Sequence, residues 1–264
     1  MHPIERLRFV ARATGAPPDD VVREAAASLA GFADDPASLV TACRRLVDRH
    51  AANGAVWWLC ARTLTAPDAG DEAWRCLDDY VVDPTIAELG HALPEGARVA
   101  VIGWPERLLP AFGRRGDIEV RVVDVEGDGS GFVRELERAD VAAVDVSVTG
   151  LAAAVATADL VLLDLCAVGP EVGLAAPGSW TAAAVATSAD VPVWGTVGVG
   201  RLVPARLWPS LVGRLEGAAT APWEREHDHV PLALIGHLVG PSGPEATVDG
   251  LRRIDTPDVA ELRR

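Results

Sequence analysis

The residues best equipped for chemistry in this chain lie close together. From position 160 to position 180 the sequence reads LVLLDLCAVGPEVGLAAPGSW, with Asp164, Cys166 and Glu171 after an apolar run and Gly178-Ser179 ahead of an Ala-rich one. A carboxyl group two residues from a thiol has the makings of an acid–base or nucleophilic pair. A strand ending near Leu163 would place both at a strand's carboxyl end, where open parallel sheets bind ligands. A helix opening at Gly178-Ser179 would add backbone N–H groups that favour an anion. Each group has a plainer reading beside this one: Ser179 as an N-cap, and Cys166 as a buried, inert thiol.

What the chain lacks limits chemistry elsewhere. All 24 basic residues are Arg; Lys is absent. That excludes a Walker-A phosphate loop, a pyridoxal-phosphate Schiff base and a protein-kinase site. Gly195, Gly198 and Gly200 fall in the order GxxGxG rather than GxGxxG, with no acidic partner after them. They read as a loop at a strand's end, so no cofactor is expected. Cys43, Cys60, Cys76 and Cys166 form no CxxC pair, and the His residues show no HExxH spacing; neither a zinc site nor a disulfide framework is expected. His227 and His229 lie in the charged run Glu224-Arg225-Glu226-His227-Asp228-His229. On a strand they would share a face and could hold a metal or titrate near neutrality; a solvated loop is the alternative. Trp57-Trp58 reads as core or subunit contact.

A net charge of −14 argues against nucleic-acid binding, which needs a basic face. No apolar run approaches the roughly 18–20 residues of a membrane span, and the N-terminus has no apolar signal core. A cytoplasmic protein is the expectation.

Two kinds of pattern must position these groups. Residues 1–93 read as a helical N-terminal subdomain. Ile4, Leu7 and Val10 recur at helical spacing; Pro17-Pro18-Asp19-Asp20 stops that helix and caps the next; Pro36 opens a third, which Asn53-Gly54 would end. Further helices are expected around Leu59, around Leu77 and from Thr85 to Leu93. After Pro94-Glu95-Gly96, residues 94–264 alternate β-branched runs (98–102, 119–125, 141–146, 160–163, 191–197) with helical segments (106–114, 130–138, 151–157, 180–188, 204–215). A last strand-like stretch covers 231–239. The predicted fold class is α/β, with a Rossmann-like, mostly parallel sheet carrying helices on both faces.

The segment ATADLVLLDLCAVGPEVGLAAPGSWTAAAVATSADVPVW resembles the translation initiation factor 2B alpha/beta/delta family, which includes methylthioribose-1-phosphate isomerase and ribose-1,5-bisphosphate isomerase. Val191-Pro192-Val193 matches the family's Val-Pro strand, and Arg253-Ile254-Asp255-Thr256-Pro257 resembles its closing Asp-x-Thr-Pro element. The layout of helices followed by a Rossmann-like part agrees across most of the chain. The resemblance implies a homodimer and a cleft for a sugar phosphate or nucleotide. The family's catalytic Asp falls on Cys166, with Asp164 two residues earlier. Ile102-Gly103-Trp104-Pro105 replaces its Cys-bearing turn. Ala175-Ala176-Pro177 stands where it has Asn-Lys, and only Gly178-Ser179 keeps its Gly-Thr. Asp124-Val125-Glu126-Gly127 replaces its Arg-bearing phosphate turn.

On this reading Asp164 and Cys166 are the candidate catalytic residues, and Gly103, Trp104, Glu171, Gly178 and Ser179 the candidate ligand-binding ones. No metal ligands, nucleic-acid partner or membrane contact is expected. With neither Lys nor a matched Arg, carboxylates in this cleft would repel a phosphate. Three functions follow in order: a non-catalytic, subunit-like or ligand-sensing relative; an enzyme of altered chemistry using Asp164 or Cys166; and a sugar-phosphate isomerase with displaced groups.

Overall fold

The computed structural model describes residues 18–217 and 221–263; the helix expected around Ile4 to Val10 lies outside them. Among the described residues five helices come first: α1 (Pro18–Ala30), α2 (Pro36–Arg49), α3 (Gly54–Thr65), α4 (Ala69–Val81) and α5 (Thr85–Ala92). Asp35 and Asp68 cap α2 and α4 by accepting hydrogen bonds from the N–H groups of Ser38 and Asp71 at 3.1 and 2.9 Å.

Asn53-Gly54 does not end α2. That helix stops at Arg49, and Gly54 instead opens α3. The reason is packing: a Cβ at Gly54 would lie 3.0 Å from both Cα and the carbonyl oxygen of Arg201. The Gly54 N–H donates to the Cys166 carbonyl at 3.0 Å. Helix α3 is buried along most of its length, Gly54 to Ala61 and Thr63, as a central helix must be. Trp57 and Trp58 are wholly buried within it, and their indole N–H groups donate to the Ala51 carbonyl and the Asp255 carboxylate. They are core residues of this chain. The same core takes in Ala167, Leu174, Leu207, Leu211 and Leu262 from the later part of the sequence.

The strands β1 (Arg98–Ile102), β2 (Glu119–Asp124), β3 (Ala142–Ser147) and β4 (Leu160–Asp164) fall within a residue or two of expectation. Between them lie α6 (Leu109–Phe112), entered through a 3₁₀ turn at Glu106–Leu108, then α7 (Gly129–Arg138) and α8 (Leu151–Ala156). The chain continues through β5 (Ala167–Val168), β6 (Val172–Ala175), α9 (Ser179–Ser188), β7 (Val193–Thr196), α10 (Trp208–Glu216), β8 (Asp228–Pro231), β9 (His237–Gly240), β10 (Gly243–Ala246) and α11 (Thr247–Gly250).

Seven strands form the main sheet in the order β10-β9-β7-β4-β1-β2-β3. All pairings are parallel except β9 with β10. Alternate residues of β1 serve opposite faces: Val99 and Val101 join a core with Phe112 and Phe132, while Ala100 and Ile102 join one with Leu151, Val155 and Ala182. The chain is therefore α/β with helices on both faces, as expected. The order reverses between β1 and β4, which makes that junction the switch point of the sheet.

A second, three-stranded antiparallel sheet, β5-β6-β8, was not anticipated. The single strand expected over 231–239 is two strands. β8 pairs with β6, β9 pairs with β7, and a 3₁₀ turn at Leu232–Leu234 carries the chain from one sheet to the other.

Candidate functional site

A cleft of about 410 Å³ opens at the carboxyl ends of β1 and β4, where a switch point leaves room for a ligand. Gly103 and Trp104 line it from the loop after β1, Glu126 and Asp128 from the loop after β2, and Asp164 and Cys166 from the end of β4. Ala176, Pro177 and Ser179 add the approach to α9, and Glu226 and His227 add the segment before β8.

Two glycines shape this floor. Gly103 has φ 66° and Gly178 has φ 90°, in the left-handed region that favours glycine. A Cβ at Gly178 would also stand 3.0 Å from Cγ1 of Val125. Trp104 is 40% exposed and seated against Phe132, the ring centroids 5.8 Å apart. A side chain at Gly131 would overlap its ring.

Of the expected site residues, Gly103, Trp104, Asp164, Cys166 and Ser179 line one cleft, and Gly178 sits directly behind Ser179 as the cap of α9. Glu171 is not among the lining residues. It is exposed in the turn between β5 and β6, where its carbonyl accepts from the Leu232 N–H at 2.9 Å. The loop expected to carry it into the cleft folds into a hairpin instead.

The sequence reading found no Arg matched to this region; the structure supplies Arg201. It is 3% exposed, and its Nη1 donates to Asp164 Oδ1 at 2.7 Å and to the Leu165 carbonyl at 2.6 Å. Thr196 Oγ1 donates to the same carboxylate oxygen at 3.1 Å. Burial raises the Asp164 pKa above its usual value, opposed by the charge of Arg107 and the Thr196 hydrogen bond. Arg107 is held by the Tyr80 hydroxyl at 3.2 Å, and Tyr80 in turn donates to Asp19 at 2.6 Å. Neither Arg lines the cleft.

The Cys166 thiol donates to the Leu174 carbonyl at 3.3 Å. Burial, and then the Asp164 charge, push its pKa up to about 12, so at neutral pH it is a thiol rather than the thiolate a nucleophile needs.

The start of α9 is already engaged. The Trp180 N–H donates to Asp228 Oδ2 at 2.9 Å, and the Ser179 N–H to the Ala176 carbonyl at 3.1 Å. A side chain of the protein itself supplies the anion that a helix N-terminus attracts.

The charged run before β8 is only partly a solvated loop. His227 reaches the cleft wall, and burial lowers its pKa. His229 sits on β8 opposite Leu174, its pKa likewise lowered first by burial. No group of three or more metal-ligating side chains is gathered among the described residues.

Arg201, Arg107, Asp228 and His227 escaped the sequence reading as parts of this site. The one available signal was for Arg201: it follows the glycine-rich loop after β7, the strand beside β4, and so had to emerge at the same edge.

No protein-family model matches the sequence, and a search of curated proteins returned no match. Solved structures do match. eIF2B beta from Chaetomium thermophilum superposes with a TM-score of 0.76 at 15% identity, covering 98% of this chain and 91% of that one. The translation initiation factor eIF-2B of Pyrococcus horikoshii OT3 gives 0.77 at 10% identity, covering 94% and 98%. The 5-methylthioribose 1-phosphate isomerase of the same organism gives 0.65 at 12% identity, covering 96% and 88%. With its helical N-terminal part and its sheet reversing between β1 and β4, this chain has the fold of the initiation factor 2B subunits and of methylthioribose 1-phosphate isomerase.

Proposed function

We propose that the chain is a divergent, non-catalytic relative of the initiation factor 2B subunits and the sugar-phosphate isomerases, and that it senses a small molecule bound in the switch-point cleft. One observation carries the reading: the groups that the sequence singled out there for acid–base or anion-binding work are already bonded within the protein. Asp164 is paired with Arg201, the Cys166 thiol is turned to Leu174, and the first turn of α9 is met by Asp228. An aldose–ketose isomerase needs a free acid–base group and a cationic clamp on phosphate. Among the described residues, the lining of this cleft contains carboxylates and no Arg.

The homodimer implied by the resemblance belongs to the same proposal. The edge strand β3 leaves Val144 47% exposed, and Val148 just beyond it is 55% exposed, which suits a subunit contact. One similar structure is a tetrameric eIF2B-beta2-delta2 complex. Light scattering of the purified chain distinguishes a dimer from a monomer.

The catalytic part is tested by incubating the protein with methylthioribose 1-phosphate and with ribose 1,5-bisphosphate. The expected result is no turnover of either; conversion of one would overturn the non-catalytic reading. A second reading, an enzyme of altered chemistry, draws on the raised pKa of Asp164, since burial is how carboxyl groups are tuned for proton transfer. It requires an activity that Asp164→Asn abolishes.

A further inference from the structure

We propose that the outer face of β3, α8 and α9 is the contact surface for a second copy of this chain, with Trp180 as its anchor. The inference rests on the homodimer reading above and names the face that joins the two copies. A helix lying on a sheet turns one side to water and carries charge there. α7 does so, exposing Arg134, Glu137 and Arg138. α9 has the same ten-residue length on the opposite face of the sheet, and none of its residues is charged. Its exposed positions are Trp180, Thr181, Ala184, Thr187 and Ser188. α8, packed beside it, exposes Ala152, Ala153 and Ala156 and is uncharged as well. Beyond α8, Val144 and Val148 stand in the open. Asp145, the one charged residue of β3, belongs to the other face: its Oδ1 lies 3.0 Å from the place a Cβ on Gly129, at the start of α7, would take.

Charge and symmetry point to the occupant. In a chain of net charge −14, two copies repel wherever their carboxylates meet; across α8 and α9 none do. A partner of strong charge would find nothing on these helices to select it. A two-fold contact sets one patch against itself, so the patch must offer both a knob and a recess. Trp180, 49% exposed, is the knob. The recess beside it, about 440 Å³, is bordered by Thr181, Ala184, Val185 and Ser188. Asp228, its one carboxylate among the described residues, already accepts the Trp180 N–H. Alanine loses no side-chain freedom when it is covered, and a tryptophan at the middle of such a patch is a common energetic centre.

The test is sedimentation velocity on the full chain over a series of concentrations. The parent protein should dimerise. Ala184→Glu sets like charges against each other across the two-fold and should raise the dimer dissociation constant about a hundredfold or more. Trp180→Ser should raise it tenfold or more, and it gives a second reading should Ala184→Glu disturb the helix. Arg138→Gln makes the same change of net charge on the opposite face of the sheet and should leave the dimer intact. A dimer that both α9 variants leave unchanged refutes this face while the homodimer reading stands. A dimer weakened equally by Ala184→Glu and Arg138→Gln, and untouched by Trp180→Ser, responds to overall charge and also refutes the face. A parent protein that stays monomeric at every concentration removes both readings, and leaves the face to a different partner.

Discussion

Arg201 and Asp164 form a buried ion pair, Nη1 to Oδ1 at 2.7 Å, directly beneath the cleft. The guanidinium that a phosphate would need is thus present in the fold but spent on the protein's own carboxylate.

Removing one partner should be costly. Arg201→Met strands the Asp164 carboxylate in the interior and should lower stability by about 3–5 kcal/mol, whereas Arg201→Met combined with Asp164→Asn should recover much of that loss. Urea denaturation of the two variants measures both. The sign with pH follows from Asp164 alone. Its folded pKa lies above the usual 3.8, so the stability it contributes is complete below that value and is lost as pH rises through the raised one. Asp164→Asn should remove this component, flattening the stability profile just above pH 3.8. An unchanged profile would show that burial does not govern the group.

Cys166 should be slow to react. With a pKa near 12, its thiolate fraction at pH 8 is smaller than that of an ordinary thiol by about three orders of magnitude. Alkylation by iodoacetamide, followed by peptide mass spectrometry, should leave Cys166 unmodified at pH 8 while an added free thiol is consumed. Asp164→Asn should speed the reaction, because the neighbouring negative charge is one cause of the rise. Rapid labelling of the native protein at pH 8 would contradict the burial described.

Asp228 acts as a substitute anion at α9. Asp228→Asn should cost about 0.5–1 kcal/mol and leave the Trp180 N–H without its carboxylate acceptor. Sulfate should then stabilise the variant more than it does the parent protein in a thermal melt. Equal responses to sulfate would mean that Asp228 does not block an anion there.

Gly131 makes room for Trp104. Gly131→Ala should unseat the indole and destabilise the protein by about 1–3 kcal/mol, with a red-shifted tryptophan emission as the ring gains solvent. A variant of normal stability and spectrum would show the seat to be adaptable.

How far the sequence could be read depended on the range of the interaction. The apolar runs that became β1, β2 and β4 were visible because each strand's pattern is local and the helices between them keep their own period. β5 is two residues long, and β6 contains Gly173, so neither carries a pattern that distinguishes strand from loop. Their hairpin moved Glu171 out of the cleft. Asp164 and Arg201 lie 37 positions apart, and each stands near the end of a strand with no periodicity of its own, so only the parallel pairing of β4 with β7 brings them together. Asp228 was legible as a charge but not as a cap, because Trp180, whose N–H it accepts, lies 48 positions earlier in the chain.

The hydrogen bond from the Gly54 amide to the Cys166 carbonyl ties the two halves of the polypeptide into a single mechanical piece. The residue just beyond β4 is thus bonded to the first turn of α3, whose two tryptophans are buried on all sides. Severing the chain between α5 and β1 and removing the helices would strand Ala167, Leu174 and Leu211 without the neighbours that cover them.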